Sequence, residues 1–555
     1  MAFERTVSGG FLHRQWEENG WFSRVLPVGT FALCLLLALV MDQNAGIDYT
    51  FLTIIGGFLL IALIVSWKIS GRMITEKEIL LLLFLAGFLL RLHYLLYTPV
   101  NMSESVRQHD VSVFGEDSHY QSDYIAWFYE HPFTLPEDPT YGQFYHPPLH
   151  FWLAAMWMRF LTGIGATYEK AASNIQFLTL FYSSCCMIVT QRLLSSLQIR
   201  KGGKITAFAI VAFHPCFIYM AGSINNDILS ILLILLSLYT TVRWVQDPTW
   251  KKILPIALSI GLAMSAKLTA ALAAFPIALV FLLCLIREKG KRLQILGQFA
   301  AFGCVSFPLG LWFALRKKLL YGVPLAYAES LDVNSYQYIG FRTLKERFFD
   351  LSLQPFRNIY LNRGEYGYYE YNPIIGLLKT SLTGEWVLAE DGTIITLLVR
   401  VLFAVNVILI LLSIVSMVCC MIDILRRLIG YLSQKHGFGV MEGADVLSEV
   451  LLVSYQIISF VYYLYFCISY PHTCSMDIRY IAPSIVAGAV LIGDMLGRME
   501  KHISETGCRT SESVTATADR RISLKAESVA VYLIRFATAG FCCLAAAIYL
   551  LVGVL

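Results

Sequence analysis

Between residues 98 and 147 the chain carries eight acids, Glu104, Asp110, Glu116, Asp117, Asp123, Glu130, Glu137 and Asp138, against one base, Arg107. A segment that only joined two apolar helices needs neither that length nor that chemistry. Asp110, next to His109, follows the end of an apolar run closely enough to sit near a membrane surface. A carboxylate there takes a proton from an attacking hydroxyl, or orients it. The competing reading is a solvated acidic loop, since acids are mostly exposed. Glu116 and Asp117 offer a second carboxylate pair. With His109, His119 and His150 nearby, the same stretch has the donor mix for a divalent cation, although its spacing fits no fixed zinc template.

Further polar groups interrupt otherwise apolar sequence. In YHPPLH (145–150), His146 either precedes a helix start or meets a phosphate at head-group depth, with Tyr145 beside it. In SINND (223–227), three good N-cap residues include Asp227, which either caps a helix or supplies a second carboxylate to the cavity of Asp110. Lys267, in SAKLTA, and Arg479, in HTCSMDIRY (472–480), are cations at helix ends that otherwise lack them. A charge near hydrocarbon is costly unless paired, and an arginine fork suits phosphate oxygens. Snorkelling for Lys267 and an internal ion pair of Arg479 with Asp477 or Asp227 are the alternatives. The tyrosine cluster 358–372 includes Tyr366 and Tyr368, whose rings suit either a sugar face or a membrane interface.

The elements that must hold these groups follow from composition. Of 555 residues, 57% are hydrophobic and 15% charged, against roughly 25% charged in soluble proteins. The spacing predicts an all-α, polytopic membrane protein with about 13 spans near 27–42, 51–68, 77–97, 170–195, 205–222, 227–245, 253–269, 270–286, 295–314, 395–424, 448–470, 478–496 and 528–552. Base-rich connections such as 68–77, 192–204, 243–252, 287–292 and 426–435 alternate with 43–50, 223–226 and 471–477, which hold no Lys or Arg. The first set is therefore expected in the cytoplasm, together with the N-terminus. That alternation survives only if 148–163 lies along the outer face as a juxtamembrane or re-entrant helix. The expected organisation is a tail and extra hairpin (1–76), a catalytic module (77–314) with an outer loop at 98–169, a second outer loop (315–394), further spans (395–497), a flexible Ser/Thr-rich cytoplasmic linker (498–527) and a last span (528–555). Most of the thirteen cysteines lie in apolar runs and read as small buried hydrophobes. The net charge of +4 and the lack of a basic, aromatic-interleaved cluster argue against nucleic acid as a partner.

In order, HDV, YHPPLH, NND, SAK, GEW and RYIAP resemble the GT-C-fold glycosyltransferases, and more narrowly bacterial members related to the protein O-mannosyltransferases and the lipid A aminoarabinose transferase. The motifs spread from about residue 77 to 497. The resemblance implies a membrane-parallel helix after the first outer loop and a polyprenyl-phosphate sugar donor. The acceptor would be a glycan, lipid or protein hydroxyl, and the setting a cell membrane of bacterial inner-membrane type. It places the catalytic base on Asp110, a second outer carboxylate on Asp227, and the donor phosphate on Lys267 and Arg479. The family's DE or DD signature is replaced here by HDV, with Glu116–Asp117 six residues later, and the hairpin 27–68 is extra. Some family members bind a metal and others need none. A transporter or lipid flippase is the rival reading; it would show internal symmetry between halves, and none is visible.

Overall fold

The computed structural model describes residues 24–42, 49–71, 74–100, 121–325, 327, 332–350, 352, 354–362, 369–385, 387–433, 444–512 and 518–552. The apolar runs fold as helices. The first group is α1 (Leu26–Val40), α2 (Tyr49–Gly71), α3 (Glu76–Tyr97), α4 (Gln121–Glu130), α5 (Leu149–Gly163), α6 (Tyr168–Ser173), α7 (Ile175–Ser196), α8 (Lys201–Phe213) and α9 (Pro215–Tyr219). Then follow α10 (Asp227–Gln246), α11 (Trp250–Ala266), α12 (Ala274–Arg287), α13 (Arg292–Tyr321), α14 (Leu344–Phe349), α15 (Gln354–Arg357) and α16 (Pro373–Thr383). The chain closes with α17 (Ile394–Ser433), α18 (Ala444–Ser469), α19 (Pro483–Glu512) and α20 (Ala518–Leu551). Helix α3 starts on a capping box in which Thr75 and Glu78 satisfy each other's backbone donors.

Helices occupy each of the thirteen positions expected from hydropathy, but thirteen crossings are not confirmed. Among the described residues, 8 helices are long and apolar enough to cross a membrane, or 9 if the pair Thr473–Ile481 and Pro483–Thr506, bent by 51°, crosses as one. The chain is an integral, multi-pass membrane protein. The shortfall has physical causes. Helix α1 has only 15 residues, short of the ~20 that a bilayer core requires. The span expected at 205–222 is cut where His214 turns extended (ψ 123°) ahead of Pro215, as residues before proline do. Pro215 has no N–H, and Cys216 N–H donates to His214 Nδ1 instead of continuing the helix. The freed carbonyls are taken by buried Arg91 on α3, which donates to Ala212 O at 2.7 Å, Val211 O at 3.4 Å and Gly87 O at 2.8 Å, and to Ser183 Oγ at 2.9 Å. Gly87 permits this approach, because a Cβ there would meet Ala212 O at 2.8 Å.

Helix α5, with 15 residues starting after the N-cap Pro148, is not among the spans, and it packs on α4, α6 and α7. That fits the expected juxtamembrane element. The extra hairpin is attached rather than detached: α1 packs on α7 and α2 on α3. The stretch 498–527, expected to be a flexible linker, is helical where described, with α19 running to Glu512 and α20 starting at Ala518. Its polar residues extend the two flanking helices beyond their apolar parts.

Candidate active site

Four separate segments bring charge to one place. The turn before α10 is fixed by its own polar side chains. Asn225 Oδ1 accepts from Asp227 N–H at 3.0 Å, and Asn226 Nδ2 donates to Ala266 O at 3.0 Å. Asp227 does not cap the helix, whose N-cap Asn226 makes no side-chain cap bond; its side chain, 3% exposed, faces a cavity, while Asp110 lies outside the described residues. Helix α11 ends at Ala266 and the chain continues as a 3-10 turn, Leu268–Ala273. Lys267 sits extended at that junction (φ −153°, ψ 122°), and its ammonium pairs with the Asp227 carboxylate. Lys267 is held by this pair and does not snorkel outward.

Arg479 enters from the short 3-10 turn Ile478–Ile481. Asp477 caps that turn by accepting from Arg479 N–H at 2.8 Å. The Arg479 guanidinium lies 3.8 Å from Asp227 and 3.5 Å from Glu385. The result is an alternating chain of charges, Glu385, Arg479, Asp227 and Lys267. The Tyr480 ring lies 5.0 Å from the Lys267 ammonium and 5.3 Å from Arg479, close enough for cation–π attraction. Thr269, Tyr455 and Ser459 add hydroxyls to the cavity wall.

His146 borders this cluster. Its ring lies 4.2 Å from that of Tyr145 and 6.4 Å from that of Phe151. Burial first, and then the positive charges of Lys267, Lys317 and Arg479, push its pKa down to about 3, against an opposing pull from Asp227. His146 is therefore a neutral imidazole at physiological pH. Lys317, near the end of α13, is 2% exposed and donates to the carbonyl of Tyr145 at 2.7 Å. No carboxylate pairs with Lys317 among the described residues. His150, one turn beyond His146 on α5, is fully buried against Phe151 and Tyr182. Neither of its ring nitrogens has a hydrogen-bond partner among the described residues, and burial holds its pKa at about 3.

The expected residues divide cleanly. Asp227, Lys267, Arg479 and His146 come together. Tyr145 stands next to them, with its carbonyl on Lys317. Among the described residues no three His, Cys, Asp or Glu side chains gather as a metal would require, so His150 has no such partners there. His109, Asp110, Glu116, Asp117, His119, Tyr366 and Tyr368 lie outside the described residues. The ends of the segment holding the first five are nevertheless placed. Gln176 Nε2 donates to both Thr98 O and Gly222 O, at 2.8 and 2.7 Å, and Asn226 N–H donates to Gln121 Oε1 at 3.1 Å. The chain leaves from, and returns to, the turn that carries Asp227.

Sequence reasoning missed Glu385 and Lys317. Both had signals. Gly384 of GEW adopts φ 65°, ψ −147°, a conformation close to glycine-only, which turns the chain so that Glu385 reaches Arg479. Lys317 belongs to the basic run Arg316–Lys318 at the end of α13.

Residues 145–312 match the family described as dolichyl-phosphate-mannose-protein mannosyltransferase. The matched stretch contains His146, Asp227 and Lys267. The match covers less than a third of the chain, and over that stretch the chain is similar to this family of mannosyltransferases. No curated protein matches the sequence. Among solved structures, the chain is similar to the archaeal oligosaccharyltransferase AglB from Archaeoglobus fulgidus, in complex with an inhibitory peptide and a dolichol-phosphate. Identity is 13% and the TM-score 0.39, covering 85% of this chain and 56% of that one, little more than half its length. It is also similar to ArnT from Cupriavidus metallidurans. The apo state gives 12% identity and a TM-score of 0.44, and the form bound to undecaprenyl phosphate 13% and 0.42, each covering 85% of this chain and 76% of that one.

Proposed function

We propose that this protein transfers a sugar from a polyprenyl-phosphate donor to an acceptor hydroxyl at the non-cytoplasmic face of a membrane of bacterial inner-membrane type. The observation that carries the reading is the meeting of Lys267, Arg479 and neutral His146 around one buried carboxylate, Asp227, with Lys317 on the Tyr145 carbonyl beside His146. A prenyl tail confines its sugar-phosphate to the interface, and cations set in a low-dielectric site stabilise charge growing on a leaving phosphate. Lys267 and Arg479 share their charge with Asp227 and Glu385, whereas Lys317 has no described carboxylate and gives the phosphate its least contested partner.

In this reading Asp110 accepts the proton of the acceptor hydroxyl as its oxygen attacks the anomeric carbon. The bond from that carbon to the phosphate oxygen breaks through an oxocarbenium-like transition state, and one displacement inverts the centre. Glu116 or Asp117 is the alternative base. Asp227 orients the cations and completes the carboxylate set. A divalent cation enters the reading only through first-loop side chains such as His109 and His119, and transfer with and without a chelator decides that point. The test of the whole is transfer of labelled sugar by the purified protein from a polyprenyl-phosphate donor. The wild type is expected to form donor-dependent product and Asp110→Asn to lose at least about 100-fold in rate while still binding donor. Donor-dependent lipid translocation without product would favour a flippase instead.

A further inference from the structure

Beyond the cation cluster, the most unusual electrostatic feature is an ion pair between Glu370 and Lys379 whose two side chains are both 0% exposed. Two charges withdrawn from water regain their desolvation cost only when the geometry is secured, and the best attested use of such a pair is to hold one arrangement among several. The element held here is α16. Its start is set by Asn372, whose side chain accepts from Ile374 and Ile375 N–H at 3.0 and 3.3 Å, and by the Glu370–Lys379 pair just across it. Its middle is tied to the Arg479 turn, because Thr380 Oγ1 accepts from Ile478 N–H at 3.1 Å. Tyr219 donates to Thr380 O at 3.0 Å and Tyr549 to Leu382 O at 2.8 Å. The helix then ends at Gly384, and the next residue is Glu385, 3.5 Å from Arg479.

We propose that Glu370 and Lys379 are positioning residues for the donor site: they lock α16 in the register that sets Glu385 against Arg479, so that Glu385 competes with the lipid phosphate for that guanidinium. This rests on the donor reading above. A carboxylate beside Arg479 makes a second anion less welcome there, and so limits how tightly the spent polyprenyl phosphate is kept. Removing Glu385, or releasing the helix that carries it, should therefore tighten phosphate binding, whereas damage to the fold would weaken it.

The test uses the full-length protein in nanodiscs, with undecaprenyl phosphate as the probe. Variants are Glu385→Gln, the volume-conserving pair Glu370→Leu/Lys379→Met, and all three changes together. Glu385→Gln is expected to bind the probe about tenfold more tightly. The apolar pair should tighten it by a similar factor, and the triple variant no further than Glu385→Gln alone, because residues acting through one contact are not additive. Turnover should fall in step with slower release. Should the apolar pair fold with lower thermal stability and unchanged or weaker affinity, or should the effects multiply, the pair is only structural and the proposal is overturned. A wild type that binds no lipid phosphate would sink the donor reading and this proposal together, whereas binding by the wild type with indifferent variants sinks the proposal alone.

Discussion

At the scale of single residues, the site is organised by burial of charge. Asp227 and Lys267 are 3% and 12% exposed, and breaking such a pair typically costs 3–5 kcal/mol because the remaining charge has no partner. Their retention so close to hydrocarbon points to a task that apolar residues could not perform. His150 is the neutral counterpart. Burial holds its pKa at about 3, against ~6.5 in the unfolded chain. Its contribution to stability is therefore complete above pH 6.5 and is lost as pH falls toward 3, since the unfolded state takes up the proton first. Between pH 6.5 and 5 the loss is about 2 kcal/mol. Unfolding in detergent should show His150→Gln less sensitive than wild type over that range. Identical pH dependence of the two proteins would contradict this burial. Asp227, Lys267, Arg479 and His146 were legible in the sequence because each is a polar residue where hydropathy forbids one without cause. Glu385 was not, because a lone acid after a short helix in a long polar segment carries no such signal. Its role comes from the backbone turn at Gly384.

At the scale of elements, polar side chains repair the places where helices break. The His214–Pro215 break is stabilised by Arg91, and the α11 break aims Lys267 at its partner. Hydropathy read 205–222 as one unbroken span because it averages over the proline that breaks it, and it placed the second break two residues late, between 253–269 and 270–286. Arg91→Met is expected to strand the carbonyls of Val211 and Ala212, the latter 2.7 Å from the guanidinium, and to destabilise the protein by about 3 kcal/mol. The effect should appear in thermal unfolding, with lipid-phosphate affinity of the folded fraction unchanged. An unaltered unfolding temperature would show that water or another side chain already serves those carbonyls. The stretch expected to be a flexible linker, 498–527, is helical where described. Its Ser/Thr content suggested irregular chain, yet α19 and α20 extend into it from both sides, where propensity alone is a weak guide.

At the scale of the whole molecule, the helical class, the membrane setting and the order of elements were readable from composition and periodicity. The number of crossings was not, since a helix of 15 residues and one of 30 read alike in a sliding window. Charge alternation along the chain predicted that the segments carrying His146, Asp227, Lys267 and Arg479 would share one side, and the bundle brings them together. The match over 145–312 is to a family of mannosyltransferases, and the proposed function puts a lipid phosphate at the charged cluster. An experimental structure of the protein with undecaprenyl phosphate bound tests this most directly. The account predicts phosphate oxygens within about 3 Å of the Lys317 ammonium and of Lys267 or Arg479. A phosphate bound at the opposite end of the bundle, with Lys267 and Arg479 still engaged only by their own carboxylates, would contradict it.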